Sequence, residues 1–596
     1  MTNKQFKAHI LEIENEASEF KYTHDISSEF QKLLDNKKLN LTEKQIEKLK
    51  WEFLLFRFMA KTKSSNRGMK TRRFRPMATF EDGSVFPDIK YFSEKSFKYF
   101  KSRANNSTST IMKARYFDFL WEESKLKDKH LFAIKAIREY LANLEIYKDN
   151  DRIWKRFDCF QRSAELALCL QGKKEDNNYV KPVIKLLVSD IETKTKNNEH
   201  RWLLEPFELV IDLSSFFEKK LLEKYINLCQ KAATHFHNQH NFHLQRSFLG
   251  IKLKFVKIVD SKKNKVNQLN DDIGQSYISE AKFKSGSNLV KAHFLQEAIQ
   301  HYLNTGFKEK AKTLITEVKK ATKKAIDGNE FHKFETKIEI KEEDIAKIKK
   351  NLGVGVDALE NIGSLGQFFP NWNHAIQLTQ KLKKKYVFQN IFPTTHYGSE
   401  YLVGQPITEE EMEEDRIMRN FSIEANLNIN LLTRCILELI KESDLSRDDF
   451  KTHFEKLKKL DENTYDSVLD AIDDFFNERY YQSTTVLVLQ LEDFLRKVVF
   501  SLGNETTVYR NQAFKEQTLK PLLESLNKHV PEPIYRFISW VMEDYRGINL
   551  RNNVAHGFYK KQQASPTHSV ILLQIFCIIL SIVIITKKKD ENIKNR

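Results

Sequence analysis

Apolar residues recur at three- and four-residue spacing through most of the first 345 positions, as across Leu41–Met59 and His293–Val318. That period lines one face of an α-helix, so the pattern predicts helix after helix. Ala292–Val318 reads as two antiparallel helices joined at Thr305-Gly306, with Ala292, Ala298 and Ala311 where helices approach closely. No repeat of about 34 residues runs through the remainder. The expected fold is therefore all-α, with an irregular, α-solenoid-like N-terminal region followed by a helical bundle.

Three segments are expected. Residues 1–345 form a helical region suited to recruiting or sensing a partner. Residues 346–460 form a helical middle segment with an irregular acidic linker at 386–416, marked by Pro393, Gly398, Gly404, Pro406 and the run Glu409–Asp415, after which helices resume near Ser422. Residues 461–596 form the C-terminal bundle. There the pattern predicts one helix ending near Glu478 and a second from about Gln482 to Leu502, stopped by Gly503. In the second, Val486, Leu487, Leu489, Leu491, Phe494, Leu495, Val498 and Val499 nearly surround the axis, which predicts a core helix. The apolar run Ser569–Thr586 is read as the core helix that closes the bundle. At eighteen residues, interrupted by Gln574 and Ser581 and followed by Lys587–Lys589, it also leaves open a membrane-associated alternative.

Composition narrows the class. Only 17 Gly and 11 Pro in 596 residues are too few turn residues for a sandwich or barrel, and 12% aromatics exclude a disordered chain. Five dispersed cysteines form no CxxC pair, which points to a reducing compartment rather than a disulfide framework. The first twenty residues carry charge in every turn and lack the apolar stretch of a secretory signal, so a cytoplasmic location is expected. Ninety-eight Lys+Arg against 81 Asp+Glu give a net charge of +17, compatible with a polyanionic partner.

Lys61–Arg75 holds seven Lys/Arg and no acid, with Gly68 inside and Pro76 after it. It predicts an exposed basic loop in which Arg67, Lys70, Arg72, Arg73 and Arg75 are candidate RNA contacts, set against a loop that merely keeps the chain solvated. Gly353, Gly355, Gly363 and Gly366 lack a preceding strand and a following GK[ST], so no nucleotide loop is expected there. His235, His237, His240 and His243 are the densest histidine cluster, but no carboxylate or thiol at ligand spacing joins them. Packing is the expected role, with no metal and no cofactor. Glu492 and Arg496 stand at i, i+4 on the core helix and are expected to pair.

The last motif is GINLRNNVAHGFY, which contains Arg551, Asn552, His556 and Gly557 in the form R-N-x-x-x-H-G. With the upstream VLVLQLEDFLRKVV helix and its E-x-x-x-R pair, Gly503, and TLKPLLE at Thr518–Glu524, it resembles the domain-of-unknown-function 4209 family of the HEPN (higher eukaryotes and prokaryotes nucleotide-binding) superfamily over about residues 465–586. Phe74–Met77, Lys113–Glu122 and Phe368–Ile376 look like what precedes that domain in bacterial members. The resemblance implies a HEPN-type bundle acting as a metal-independent endoribonuclease, commonly a dimer that brings two such motifs over one RNA strand and leaves 2′,3′-cyclic phosphate ends. A defence or stress role, with the nuclease idle until triggered, fits that architecture by analogy.

The residue chemistry is sensible independently. His556 suits proton transfer at working pH, and Arg551 offers a permanent bidentate cation to phosphoryl oxygens. Asn552 shares a helical face with His556, where its amide would orient the ring or touch phosphate. Arg551 and His556 stand about 140° apart on an ideal helix. They converge only if the backbone is non-helical at Arg551 or if two protomers each contribute. The competing readings are an inactive helical scaffold that binds RNA or protein, and a membrane-anchored adaptor in RNA degradation.

Overall fold

The computed structural model describes residues 1–60, 73–80, 82–127, 129–148, 152–170, 179–260, 262–332, 339–364, 368–386, 393–398, 402–458, 461–510 and 512–594, and their side chains except at 60 and 583–594. The fold is all-α. The strands among the described residues form four two-stranded hairpins.

The chain divides into two compact units, one of Met1–Phe283 with Glu297–Ala311 and one of Lys284–Gln296 with Lys312–Arg596. The division differs from the expected boundary at 345, and the segment Ala292–Val318, expected as a hairpin, is divided between the two units. Its two helices are Asn288–Asn304 and Lys308–Asp327, joined through Gly306 at φ 88°.

In the first unit, neighbours in sequence are neighbours in space: Thr110–Glu123 packs on Lys129–Asn143, that helix on Ile153–Leu170, and Lys219–Asn238 on Phe242–Val259. This is the solenoid-like pattern the amphipathic repeats predict. Two fully buried carboxylates enter its core, each with hydrogen-bond partners. Glu52 accepts hydrogen bonds from Tyr116 (2.7 Å), Tyr99 (2.8 Å) and Arg103 (2.8 Å), and Asp118 takes Arg162 (2.6 Å) and Tyr140 (2.7 Å). A buried carboxylate survives only with such partners.

Part of the basic segment belongs to this unit's interior. Arg73 is buried, 3.8 Å from Asp118, and Phe74–Arg75 pairs with Met59–Ala60 as a short hairpin with Arg75 half-buried. Arg73 is thus corrected from a surface contact to a core residue. Arg67, Lys70 and Arg72 lie outside the described residues.

In the second unit, one core runs from Ile345 to Leu580, so residues 346–460 and 461–582 are not separate bodies. The expected acidic linker is corrected as well. Glu409–Lys441 is a 33-residue helix, and the acid run forms its first two turns. Thr408 caps it in a capping box with Glu411, and acids in a first turn suit the positive end of the helix dipole. Before it stands a hairpin of His396–Tyr397 and Leu402–Gly404, where His396 Nε2 lies 2.6 Å from Asp415.

The closing helix is Pro566–Lys594, and every residue from Val570 to Leu580 is buried. Among the described residues, no helix is long and apolar enough to cross a membrane. Four of the five thiols are buried, Cys159 and Cys229 in the first unit and Cys435 and Cys577 in the second, while Cys169 is exposed. Burial pushes the Cys435 thiol up to about 11 and that of Cys577 to about 12.

Candidate functional site

The site is assembled from two helices and a loop of the second unit. Tyr480–Ser501 is the predicted core helix, ended by Gly503 at φ 79°. Leu487, Val488, Leu491, Phe494, Leu495, Val498 and Val499 are buried on it, while Leu489 and Phe500 are 52% and 71% exposed. The apolar belt therefore has one open stripe, and Glu492 and Arg496 flank it at helical spacing.

The loop before the motif is held by close approach. Ile548 N–H donates to Trp540 O at 3.0 Å, and a Cβ on Gly547 would collide with the Trp540 backbone, so only glycine fits there. Asn549 then adopts a left-handed conformation, φ 56°, at the start of the six-residue helix Leu550–Ala555. Two asparagines tie helix to loop: Asn552 Nδ2 donates to Asn549 Oδ1 (2.8 Å) and Glu543 O (3.4 Å), and Asn553 Nδ2 donates to Ile548 O (3.1 Å). Gly557 at φ 69° ends the helix, with Phe558 N–H returning to Asn553 O at 2.7 Å. That left-handed position is where glycine costs least.

Arg551 is the second residue of this helix and reaches across to the core helix. Its Nε donates to Glu492 at 2.8 Å and its Nη2 to the other carboxylate oxygen at 3.3 Å, a bidentate pair. The expected Glu492–Arg496 pair is present at 3.7 Å. Arg496 Nη1 also binds Glu516 (2.9 Å) and Gln517 O (3.0 Å). The two sequence features, E-x-x-x-R and R-N-x-x-x-H-G, are thus one cluster in space. Only the i, i+4 pair was readable from spacing, because the Arg551–Glu492 contact joins residues 59 apart.

His556 caps the helix C-terminus and is exposed, with the Phe558 ring 6.1 Å away. The expected orienting contact from Asn552 is not formed. Its amide nitrogen faces the loop, and its Oδ1 accepts from Arg551 Nη1 at 3.3 Å. Arg551 is helical, so a non-helical turn at that residue does not bring it towards His556.

Glu543 escaped the sequence reading. It follows the helix Glu532–Met542, and its carbonyl accepts from Asn552. Burial pushes its carboxyl pKa up, with Lys520 opposing and Asp544 and Glu524 reinforcing. No local motif marks it, since its environment comes from two other helices. Tyr559 is buried, stacked on Tyr481 at 5.6 Å, with its hydroxyl 3.0 Å from His568 Nδ1.

The histidine cluster turns to separate neighbours: the His235 ring lies 4.9 Å from His200, His237 is 3.3 Å from Gln245, and His240 stacks on Phe283 at 4.1 Å. Among the described residues, no group of three His, Cys, Asp or Glu side chains is placed to hold a metal ion. Gly353 (φ 81°) and Gly355 (φ 57°) form the turn between two helices.

Residues 1–179 match a family described as a domain of unknown function (DUF7380). No curated protein and no solved structure matches the chain.

Proposed function

We propose that this chain is a metal-independent endoribonuclease of HEPN type, working as a dimer with a composite Arg/His site. The supporting observation is the cluster in which Glu492 grips the Arg551 guanidinium while His556 stands exposed at the end of the same short helix. In this reading the RNA 2′-oxygen attacks the adjacent phosphorus as its proton is removed and the P–O5′ bond breaks. The 5′-oxygen takes up a proton, leaving a 2′,3′-cyclic phosphate and a 5′-hydroxyl. His556 carries one of those protons, and Arg551 meets the charge gathering on the phosphoryl oxygens. Because Arg551 sits in helical backbone, one copy's Arg551 and a second copy's His556 make the working pair. The solenoid-like first unit would recruit the RNA or the trigger, in a defence or stress setting.

A second reading is favoured by the same ion pair. An Arg551 already neutralised by Glu492 suits a structural cross-link in a scaffold that binds RNA or protein without cutting it. Incubating a mixed RNA pool in EDTA with the parent, His556→Ala and Arg551→Ala separates the two. The nuclease reading expects cyclic-phosphate ends from the parent alone. Equal cutting by all three preparations removes the catalytic assignment.

A further inference from the structure

Beyond the core helix stands a hairpin of Thr507–Arg510 and Ala513–Glu516 in strict register. Tyr509 and Phe514 are directly paired across it, so their rings share one face, with centroids 5.1 Å apart and planes 59° apart. They are 64% and 77% exposed. Isolated exposed apolar residues need no explanation, but two large rings side by side at the tip of an eight-residue ribbon do. The reverse face presents Arg510 and Lys515, both exposed and in no ion pair among the described residues. Within the ribbon the one acid, Glu516, is held by Arg496.

The ribbon is fixed to the site. Arg496 donates to Gln517 O and Glu516 at the hairpin's base, and the same guanidinium meets Glu492, which holds Arg551. Whatever the ribbon grips is therefore held beside the Arg551 cluster. Rings offered in pairs accept planar ligands, and cations on the reverse face accept a backbone that drapes over the tip. Unpaired nucleobases on a phosphate chain provide both. A second copy of this chain would instead have to bring acids to Arg510 and Lys515.

We propose that this hairpin is a stacking platform for single-stranded RNA, with Tyr509 and Phe514 receiving bases and Arg510 and Lys515 receiving phosphates. The proposal rests on the nuclease reading for its role but not for its test. Binding is measured by fluorescence anisotropy with labelled oligouridine, and with an RNA duplex of equal length, in the His556→Ala protein. Stacking predicts that Tyr509→Ala/Phe514→Ala weakens single-strand binding about tenfold or more. Duplex binding stays within about twofold, because paired bases have no free faces. Tyr509→Phe/Phe514→Trp retains the parent affinity. Arg510→Ala/Lys515→Ala lowers the slope of log affinity against log salt by about 1.4, two phosphate contacts' worth.

Unchanged single-strand binding in the alanine pair, an equal loss on the duplex, or a parent that binds no RNA overturns the proposal. So does sedimentation in which the alanine pair abolishes self-association while RNA affinity holds, since the rings would then serve a second copy. Cleavage by the otherwise unaltered chain is scored separately. Hairpin variants that bind poorly while no preparation cuts RNA leave the platform standing and leave an untriggered nuclease and a binding scaffold as the two readings of the chain. Hairpin variants that bind and cut as the parent does remove the platform and keep the nuclease.

Discussion

Glu492 is shared by two guanidinium groups, Arg551 at 2.8 Å and Arg496 at 3.7 Å, and it is 16% exposed. Glu492→Gln keeps the shape and removes the charge that both cations face. The expected cost is about 1–2 kcal/mol in unfolding free energy, below that of a fully buried broken pair because all three groups touch solvent. Denaturant titration measures it, and on the nuclease reading cleavage falls at least about tenfold as Arg551 loses its anchor. His453 is a residue of a different kind. It is buried with neither ring nitrogen hydrogen-bonded among the described residues, and burial pushes its pKa down to about 4. The unfolded chain takes up that proton near the ordinary value of 6.5. Between those values the unfolded state holds more protons, so stability falls as pH falls through the window, by up to about 3 kcal/mol at its acid end. Urea midpoints measured across it should decline for the parent and decline less for His453→Phe; equal slopes would dismiss this histidine.

Along the closing helix Pro566–Lys594, one residue breaks the apolar run of the core: Gln574 is 1% exposed, and neither atom of its amide has a hydrogen-bond partner among the described residues. Gln574→Leu should stabilise the second unit by about 1–2 kcal/mol, because an unpaired buried amide is replaced by a side chain that needs no partner. A thermal melt that moves down instead would point to an unrecognised partner. The helix Gly355–Ser364 shows why the closing helix tolerates little else: a Cβ on Gly363 would meet Cys577 O at 2.8 Å. Elements with a clean apolar period were legible in sequence, including the core helix, its Gly503 stop and the Thr305-Gly306 turn. The acid run Glu409–Asp415 was not, because acids read as a linker by composition are also favourable in a first helical turn. At the site, Arg551, His556, Glu492 and Arg496 were legible one by one. Their assembly was not, because it depends on a contact 59 positions away and on Asn549 and Gly547 bending the chain before the motif. Leu489 looked like core by period, yet it faces outward, since spacing alone does not say how much of a helix its neighbours cover.

For the whole molecule, the composite site of the nuclease reading makes a quantitative demand. Mixing inactive Arg551→Ala with inactive His556→Ala should restore about a quarter of parental cleavage: half the dimers are mixed, and each mixed dimer has one intact pair. No recovery after subunit exchange would mean that Arg551 and His556 of the same copy serve together. The buried thiols give the molecule a built-in clock. Cys159 and Cys229 lie in one unit's interior and Cys435 and Cys577 in the other's, so each pair becomes alkylated only when its own unit opens, while Cys169 reacts at once. Peptide mass spectrometry after timed exposure to iodoacetamide should therefore show Cys159 rising with Cys229 and Cys435 with Cys577. Cys577 running ahead of Cys435 would instead mean that the closing helix peels away on its own. Four rates from one untouched chain thus report the opening of each unit by itself.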